Sequence, residues 1–200
     1  MGTQTSYGRQ YIAVTNDDNQ LVLLAVDSPT STLGSSQSWK ANVLTHSTLE
    51  PGENSTFTDP LYFDDLMKQQ RFMSHVAWSP WILRGDCYQS VIVYATNEEV
   101  RGRLVTCTSD DLSLEAEVTY SGISLRHSGH MTWCSKVDNE DQLTLALFTT
   151  SGLVYSTISA IDASIVSKAE HNLDGRWDQV SGTVWDDEKD VPLRLHFSSL

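Results

Sequence analysis

A tryptophan recurs in three short apolar segments, and this repeat constrains the fold more than any other feature of the sequence. The segments are Val76–Ser79, Met131–Cys134 and Thr183–Asp186, and their tryptophans follow one another at intervals of 55 and 52 residues. Each segment precedes a run in which apolar and polar residues alternate, which is the period of a half-buried strand. A unit that returns near every fifty residues predicts an architecture of similar, repeated supersecondary units.

The runs around these segments predict β-strands almost throughout. Three hairpins are expected at residues 11–26, 90–108 and 142–158, where runs rich in β-branched and aromatic residues flank turn-forming residues. A last strand is expected over Pro192–Phe197. About four strands per unit is typical of a β-propeller blade. The sequence therefore predicts an all-β propeller with about two full and two partial blades. The alternative is a β-sandwich in which the tryptophans recur by chance.

Residues 28–70 interrupt this pattern. Between Ser28 and Thr58, 13 of 31 positions are serine or threonine, and large apolar side chains are few. Such a composition buries too little apolar surface to offset the entropy of ordering the chain. We therefore expect one propeller domain over residues 1–200 with a mobile insertion at about 28–70, in which Asp64–Arg71 forms a short helix. The strand count predicts an incomplete propeller with an unpaired edge near residues 191–197, and hence aggregation of the chain expressed alone.

The charge balance bears on the class of partner. The chain has 13 Lys and Arg against 26 Asp and Glu, a formal net charge of -13, and both halves are acidic. Nucleic-acid binding needs a concentrated cationic face, so contact with DNA is expected only indirectly, through other proteins. The longest aliphatic run, Leu21–Val26, is far shorter than a bilayer span, and no membrane partner is expected. The three cysteines are far apart in sequence, which is typical of reduced intracellular thiols.

Motifs that carry chemistry are weak in this sequence. His127, His130 and Cys134 form the best metal-like cluster, but a structural zinc site needs four ligands and no second pair lies nearby in sequence. No nucleophile elbow, P-loop or dinucleotide-binding glycine motif occurs. Paired carboxylates fall mainly in expected turns, where solvated side chains are the default. We therefore expect no metal, no cofactor and no catalytic residue.

One segment resembles a known family. The segment Phe72–Trp81 resembles the strand that opens a WD40-type blade, because it contains an apolar run that ends in Trp78, Ser79 and Pro80. Together with the loop at Gly85 and the apolar strand Ser90–Asn97, it looks like the N-terminal propeller of the delta-type (ninety-kilodalton-class) subunit of RNA polymerase III transcription factor IIIC, fungal type. The resemblance is specific over about residues 72–108 and architectural elsewhere.

The sequence departs from regular WD repeats in two places. Trp-Asp pairs occur at Trp177 and Trp185, but not at the end of a third blade strand. Gly129 and His130 lie too close to Trp133 for the standard Gly-His spacing. We therefore expect divergent WD40-like blades in which the usual His–Asp–Ser–Trp network is absent. Trp78, Ser79, Pro80, Trp133 and Trp185 are interpreted as the structural motif of the blades.

The resemblance implies a function as well as a fold. It implies a non-enzymatic scaffold in the nucleus, in contact with other transcription factor IIIC subunits and polymerase III factors at transfer-RNA genes. The alternatives are a WD-type adaptor in another complex and a subunit associated with histone acetyltransferase activity. Trp39, Trp81 and Trp177 lie outside the repeated position and are either interface anchors or residues that pack beneath loops.

Overall fold

The computed structural model describes most of the chain outside the region between the first two sheets. The described residues are 2–6, 9–15, 20–27, 40–48, 73–96, 99–108, 111–121, 123, 130–137, 141–149, 152–173, 180–186 and 194–199. All regular elements among them are β-strands, which form four separate antiparallel sheets. These residues contain no helix with the length and apolar character that crossing a bilayer requires.

The first two sheets follow one another in the chain. Sheet 1 has the strand order β1-β2-β3-β4 and consists of β1 Gly2–Ser6, β2 Arg9–Thr15, β3 Gln20–Asp27 and β4 Lys40–Thr48. Sheet 2 has the order β5-β7-β8-β9, with β6 paired to β7, and consists of β5 Met73–Trp78, β6 Ile82–Arg84, β7 Cys87–Thr96, β8 Val100–Cys107 and β9 Leu112–Tyr120. Each strand pairs with the next along the chain, apart from the short β6, so each sheet is a meander.

The other two sheets repeat this plan. Sheet 3 has the order β10-β11-β12-β13 and consists of β10 Met131–Val137, β11 Gln142–Thr149, β12 Gly152–Ser159 and β13 Ile165–His171. Sheet 4 has two described strands, β14 Val180–Asp186 and β15 Arg194–Ser199. The first strands of sheets 2, 3 and 4 lie side by side, since β5 contacts β10 and β10 contacts β14.

Three apolar cores separate the four sheets. One lies between sheets 1 and 2, a second between sheets 2 and 3, and a third between sheets 3 and 4. The middle sheets are therefore covered on both faces, which explains why their central strands are apolar at consecutive positions. In β7, Val91 and Val93 face sheet 3, whereas Ile92 and Tyr94 face sheet 1, and all four are buried. Stacked sheets that share cores in chain order are the architecture of propeller blades.

The described strands confirm most of the expected elements. The three expected hairpins are the pairs β2–β3, β7–β8 and β11–β12. Each repeated tryptophan lies on the first described strand of its sheet, β5, β10 or β14. The last expected strand is β15, which begins at Arg194 within the described residues. The short helix expected over Asp64–Arg71 lies outside the described residues.

One strand of sheet 1 lies within the bounds of the expected insertion. Lys40–Thr48, placed in the mobile insertion at about 28–70, forms β4 and pairs with β3 over its whole length. Sheet 1 therefore has four described strands, as sheet 3 does. Both β1 and β4 are rich in polar residues, because edge strands of a sheet need no apolar side chains to pair through their main chains. The rest of the expected insertion lies outside the described residues.

Candidate interaction site

The three repeated tryptophans occupy equivalent places in their sheets. Trp78 pairs with Ile92, Trp133 with Leu145 and Trp185 with Leu195, each on the neighbouring strand. Trp78 packs into the core between sheets 1 and 2, Trp133 against the core between sheets 2 and 3, and Trp185 against the core between sheets 3 and 4. Each indole therefore faces the preceding sheet. The tryptophan recurs in the sequence because each of the three cores between neighbouring sheets contains one.

The indole N–H groups of these residues find no hydrogen-bond acceptor in the described ranges of the chain. Nε1 of Trp78, Trp133 and Trp185 is buried and has no acceptor among the described residues, and the same holds for Trp81. In a regular WD repeat, the tryptophan belongs to a polar network with Ser, Asp and His. Within the part of the chain that the structure describes, no such network reaches these indoles, and the contacts that the tryptophans make there are packing contacts of their rings.

Ser79 closes the end of β5 through a buried pair of serines. Its Oγ accepts a hydrogen bond from the Val91 N–H at 2.8 Å, and its own N–H donates to the Val91 carbonyl at 2.9 Å. The Ser90 hydroxyl donates to the Ser79 carbonyl at 2.9 Å, and the two hydroxyl oxygens also lie 2.9 Å apart. Both serines are fully buried. The hydrogen bonds hold the chain on β7 beyond Trp78. Pro80, which has no N–H, interrupts this pairing, and β6 resumes it from Ile82 along the same strand.

Trp81 belongs to an aromatic cluster that joins sheets 1 and 2. Its ring centroid lies 6.1 Å from that of Tyr11, 5.7 Å from that of Trp78 and 6.5 Å from that of Tyr88. Tilted and edge-to-face rings at these separations attract one another beyond their burial from water. Trp81 is half-buried, so it combines packing with a partly open edge. The other two candidate anchors, Trp39 and Trp177, lie outside the described residues.

Two members of the metal-like cluster, His130 and Cys134, make hydrogen bonds to other residues. His130 Nε2 lies 2.9 Å from Thr183 Oγ1, a hydrogen bond that joins the start of sheet 3 to β14. Cys134 is buried, and its Sγ accepts a hydrogen bond from the Lys136 N–H at 3.4 Å. His127 lies outside the described residues. No group of three or more His, Cys, Asp or Glu in the described ranges is arranged to hold a metal ion.

Two histidines lie close together where sheets 2 and 3 begin: His75 is on β5, and His130 directly precedes β10. Burial lowers the pKa of His75, and the nearby charge of His130 lowers it further. Burial also lowers the pKa of His130. The Nδ1 atom of His75 is buried and has no hydrogen-bond partner among the residues that the structure describes. Both imidazoles are thus held towards their neutral form, where a buried ring costs least.

One of the acidic pairs has a structural partner. The Arg101 guanidinium contacts Glu99 at 2.7 Å and Glu117 at 2.6 Å, which joins β8 to β9 and to the turn before β8. Burial raises the pKa of Glu117. Glu99 is therefore ion-paired, rather than solvated as expected for the acidic pairs in turns.

Sequence patterns did not indicate the tie between Tyr120 and sheet 3. Tyr120 is fully buried at the end of β9, and its hydroxyl donates to the Ala163 carbonyl at 2.8 Å, in the turn between β12 and β13. Burial, assisted by the charge of Asp162, raises the pKa of Tyr120. Gly102 lies directly beneath the ring, and a Cβ there would contact the phenolic oxygen. Tyr120 pairs with Val100, two residues before Gly102, so a glycine diagonal to a tyrosine on the next strand is the signal that could have indicated this contact.

Sequence patterns also missed three exposed aliphatic side chains at one end of sheets 2 and 3. Leu83, Val137 and Ile161 are 61%, 36% and 55% exposed. Leu83 follows a buried isoleucine and precedes the Gly85-Asp86 turn, and Ile161 lies within a turn. An apolar residue out of phase at a turn is the signal that would have indicated them.

Four antiparallel sheets that stack in chain order through shared apolar cores define a β-propeller. The family model described as the transcription factor IIIC subunit delta β-propeller domain matches residues 2–200. The chain therefore belongs to this family, and the resemblance inferred from residues 72–108 is confirmed over nearly the whole sequence.

Other comparisons are more distant. Among solved structures, the chain is similar to the crystal structure of the Nup133 β-propeller domain from Vanderwaltozyma polyspora, with 10% sequence identity and a TM-score of 0.43. The similarity covers 100% of this chain and 55% of that one, so the chain spans about half the length of that domain. No curated protein matches the sequence.

Proposed function

We propose that this protein is a non-enzymatic scaffold subunit of transcription factor IIIC, which supports RNA polymerase III transcription of transfer-RNA genes through protein–protein contacts. The observation that carries the proposal is the family match over residues 2–200. The partners are other transcription factor IIIC subunits and polymerase III factors. The protein acts in the nucleus, and other subunits of the complex provide the contact with DNA.

The charge and the packing support this role. An excess of 26 acidic over 13 basic side chains disfavours direct binding to nucleic acid and suits contacts with basic protein segments. We propose that Trp78, Ser79, Pro80, Trp133 and Trp185 maintain the sheets and do not contact partners. Trp81 is proposed to support the surface above it, because its ring already packs against three aromatic side chains.

The test is affinity purification of the tagged, full-length gene product from nuclear extract, followed by mass spectrometry. The expected result is recovery of other transcription factor IIIC subunits in near-stoichiometric amounts. A triple serine variant of Trp133, Val154 and Ile158, which lie at the boundary between sheets 2 and 3, is expected to lose them together with the fold. Stable recovery of a different complex would establish the adaptor alternative and contradict the proposal.

Catalysis is tested separately. The purified protein is incubated with labelled acetyl-CoA and histones, beside a heat-denatured sample as control. We expect no transfer of label above the control. Robust transfer would show an acetyltransferase activity and would overturn the non-enzymatic assignment, even if the chain co-purified with transcription factor IIIC.

A further inference from the structure

The outer strand of sheet 3 is exposed on both faces. β13 is the last strand of its sheet, and no other described strand pairs with its second edge. Six consecutive residues of β13, 166–171, are exposed. By contrast, the outer strand of sheet 2 is anchored at both ends, where Leu112 and Tyr120 of β9 are buried. An exposed strand edge presents main-chain N–H and C=O groups with which another extended chain can pair.

The regular part of β13 is short and has a defined centre. A β-bulge lies at the start of the strand, where Ile165 pairs with Ile158 and Ser167 with Thr157, so that Val166 is the extra residue. From Ser167 to His171, each residue has one partner on β12. The regular stretch therefore contains five residues, and the middle one is Ala169.

Two opposite charges flank Ala169 on one face of the strand. Residues two positions apart in a strand point to the same face, and Lys168 Nζ accordingly lies 2.7 Å from Glu170 Oε1. Ala169 faces the other way, on the side of its cross-strand partner Tyr155. The exposed edge therefore has a cation and an anion at equal distances on the two sides of a small side chain.

This charge pattern is complementary to itself when the strand is reversed. In an antiparallel pair formed by two copies about a two-fold axis, each strand meets its own equivalent at one residue. If that residue is Ala169, Lys168 of each copy lies opposite Glu170 of the other. If it is Lys168 or Glu170, identical charges lie directly opposite each other, which destabilises a strand pair. Of these three central residues, only Ala169 gives a register with opposite charges across the axis.

We propose that two copies of this chain pair through β13, in the antiparallel register centred on Ala169, so that their sheets 3 form one continuous sheet. The occupant of the edge is a second copy because the charges of the edge complement themselves in this register. Main-chain hydrogen bonds hold the two strands together, and the Lys–Glu pairs select the register, since exposed ion pairs contribute little free energy by themselves. The inference goes beyond the proposed function and does not depend on it.

Sedimentation velocity of the purified full chain tests the pairing. Between about 1 and about 100 µM, we expect the chain to change from monomer to dimer, as a small interface permits. Glu170→Lys should raise the dissociation constant of the dimer by about tenfold or more, because it places lysines opposite one another. A general effect of net charge would instead strengthen association, since this substitution makes the acidic chain less negative. A chain that stays monomeric over this range would overturn the proposal.

An exchange of the two charges tests the register. Lys168→Glu alone should weaken the dimer as Glu170→Lys does, whereas the double variant Lys168→Glu with Glu170→Lys should recover the dissociation constant of the wild-type chain. Glu115→Lys is the matched control, because it makes the same change of charge at an exposed position on β9, the outer strand of sheet 2. All three positions are exposed, so the melting temperature of the monomer should not change.

Three outcomes of this series would contradict the assigned register. They are a dimer that neither single substitution weakens, a loss that the charge exchange does not restore, and an equal loss in Glu115→Lys. Each would show that the copies associate through another surface or in another register.

Hydrogen exchange shows whether the main chain of β13 takes part. At the low concentration, where the chain is monomeric, the amide hydrogens of this exposed strand exchange rapidly. At the high concentration, exchange in residues 167–171 should slow, while exchange in β9 should stay the same. A dimer in which β13 exchanges as fast as in the monomer would overturn the inference, whichever complex the chain joins in nuclear extract.

Discussion

Tyr120 connects two sheets through a single hydroxyl group. We predict that Tyr120→Phe destabilises the fold by about 1–2 kcal/mol, because it removes the hydrogen bond to the Ala163 carbonyl within a buried environment. Urea unfolding measures the change in the free energy of unfolding. Tyr155→Phe is the matched control, since that ring is half-buried and its hydroxyl has no hydrogen bond among the described contacts. Equal losses in the two variants would contradict the assigned role.

A substitution at Gly102 tests the position of the Tyr120 ring in a second way. We predict that Gly102→Ala destabilises the protein by about 1–3 kcal/mol, because the added methyl group would overlap the phenolic oxygen of Tyr120. In a Tyr120→Ala background, the same substitution should cost much less, since the space above it is empty. A double-mutant cycle measures this coupling. Additive losses would show that the two residues do not interact.

The half-buried histidines His75 and His130 make stability depend on pH. The folded state lowers the pKa of His75 and His130, so the unfolded state binds more protons as the pH falls below the ordinary value of 6.5. Their contribution is therefore complete above that pH and is lost as the pH falls through the lowered folded values. We predict a fall in melting temperature between pH 7.5 and 5.5, reduced in the double variant His75→Gln with His130→Gln. Replacement of the exposed His196 is the control, and an equal reduction there would contradict the assignment.

At the scale of elements, β5, β10 and β14 present their tryptophans to the preceding sheet with different degrees of burial. Trp78 is 5% exposed, whereas Trp133 and Trp185 are half-buried. We predict that Trp78→Ala costs about 3–5 kcal/mol and that the other two alanine variants cost less.

Phenylalanine variants separate ring packing from hydrogen bonding. Because the Trp78 indole N–H has no acceptor among the described residues, Trp78→Phe should retain much of the stability that Trp78→Ala loses. Urea unfolding of the alanine and phenylalanine variants at Trp78, Trp133 and Trp185 measures how much free energy of unfolding each variant loses. A loss for Trp78→Phe as large as that for Trp78→Ala would indicate a polar role for the indole.

At the scale of the whole molecule, the protection of amide hydrogens from exchange should depend on how far each strand is covered by neighbouring strands and sheets. β7 and β11 are paired on both edges and covered on both faces, whereas residues 166–171 of β13 are all exposed. We predict that amide hydrogens exchange slowest in β7 and β11 and fastest, among the described strands, in β13. Hydrogen exchange followed by mass spectrometry measures this order. Equal protection of β13 and β11 would show that the sheets do not open independently.

Local patterns predicted the strands that carry apolar side chains. The hairpins around Asn16, Asn97 and Gly152 and the tryptophan period follow from alternation and turn residues, which act within a few positions of the chain. The strand β4 escaped prediction because the main-chain hydrogen bonds that hold Lys40–Thr48 on β3 leave no trace in a polar side-chain pattern. The same limit applied to β1.

The sequence by itself determined that this chain forms repeated antiparallel sheets with a tryptophan in three of their first strands. Only the tertiary structure decided that each indole faces the preceding sheet, that Tyr120 reaches Ala163, and that Arg84 meets Asp141 beside Leu83. These contacts join residues 43 or more positions apart or depend on which face of a strand meets which sheet. Periodicity records that a strand has an apolar face, but the stacking of the sheets selects the neighbour that covers it.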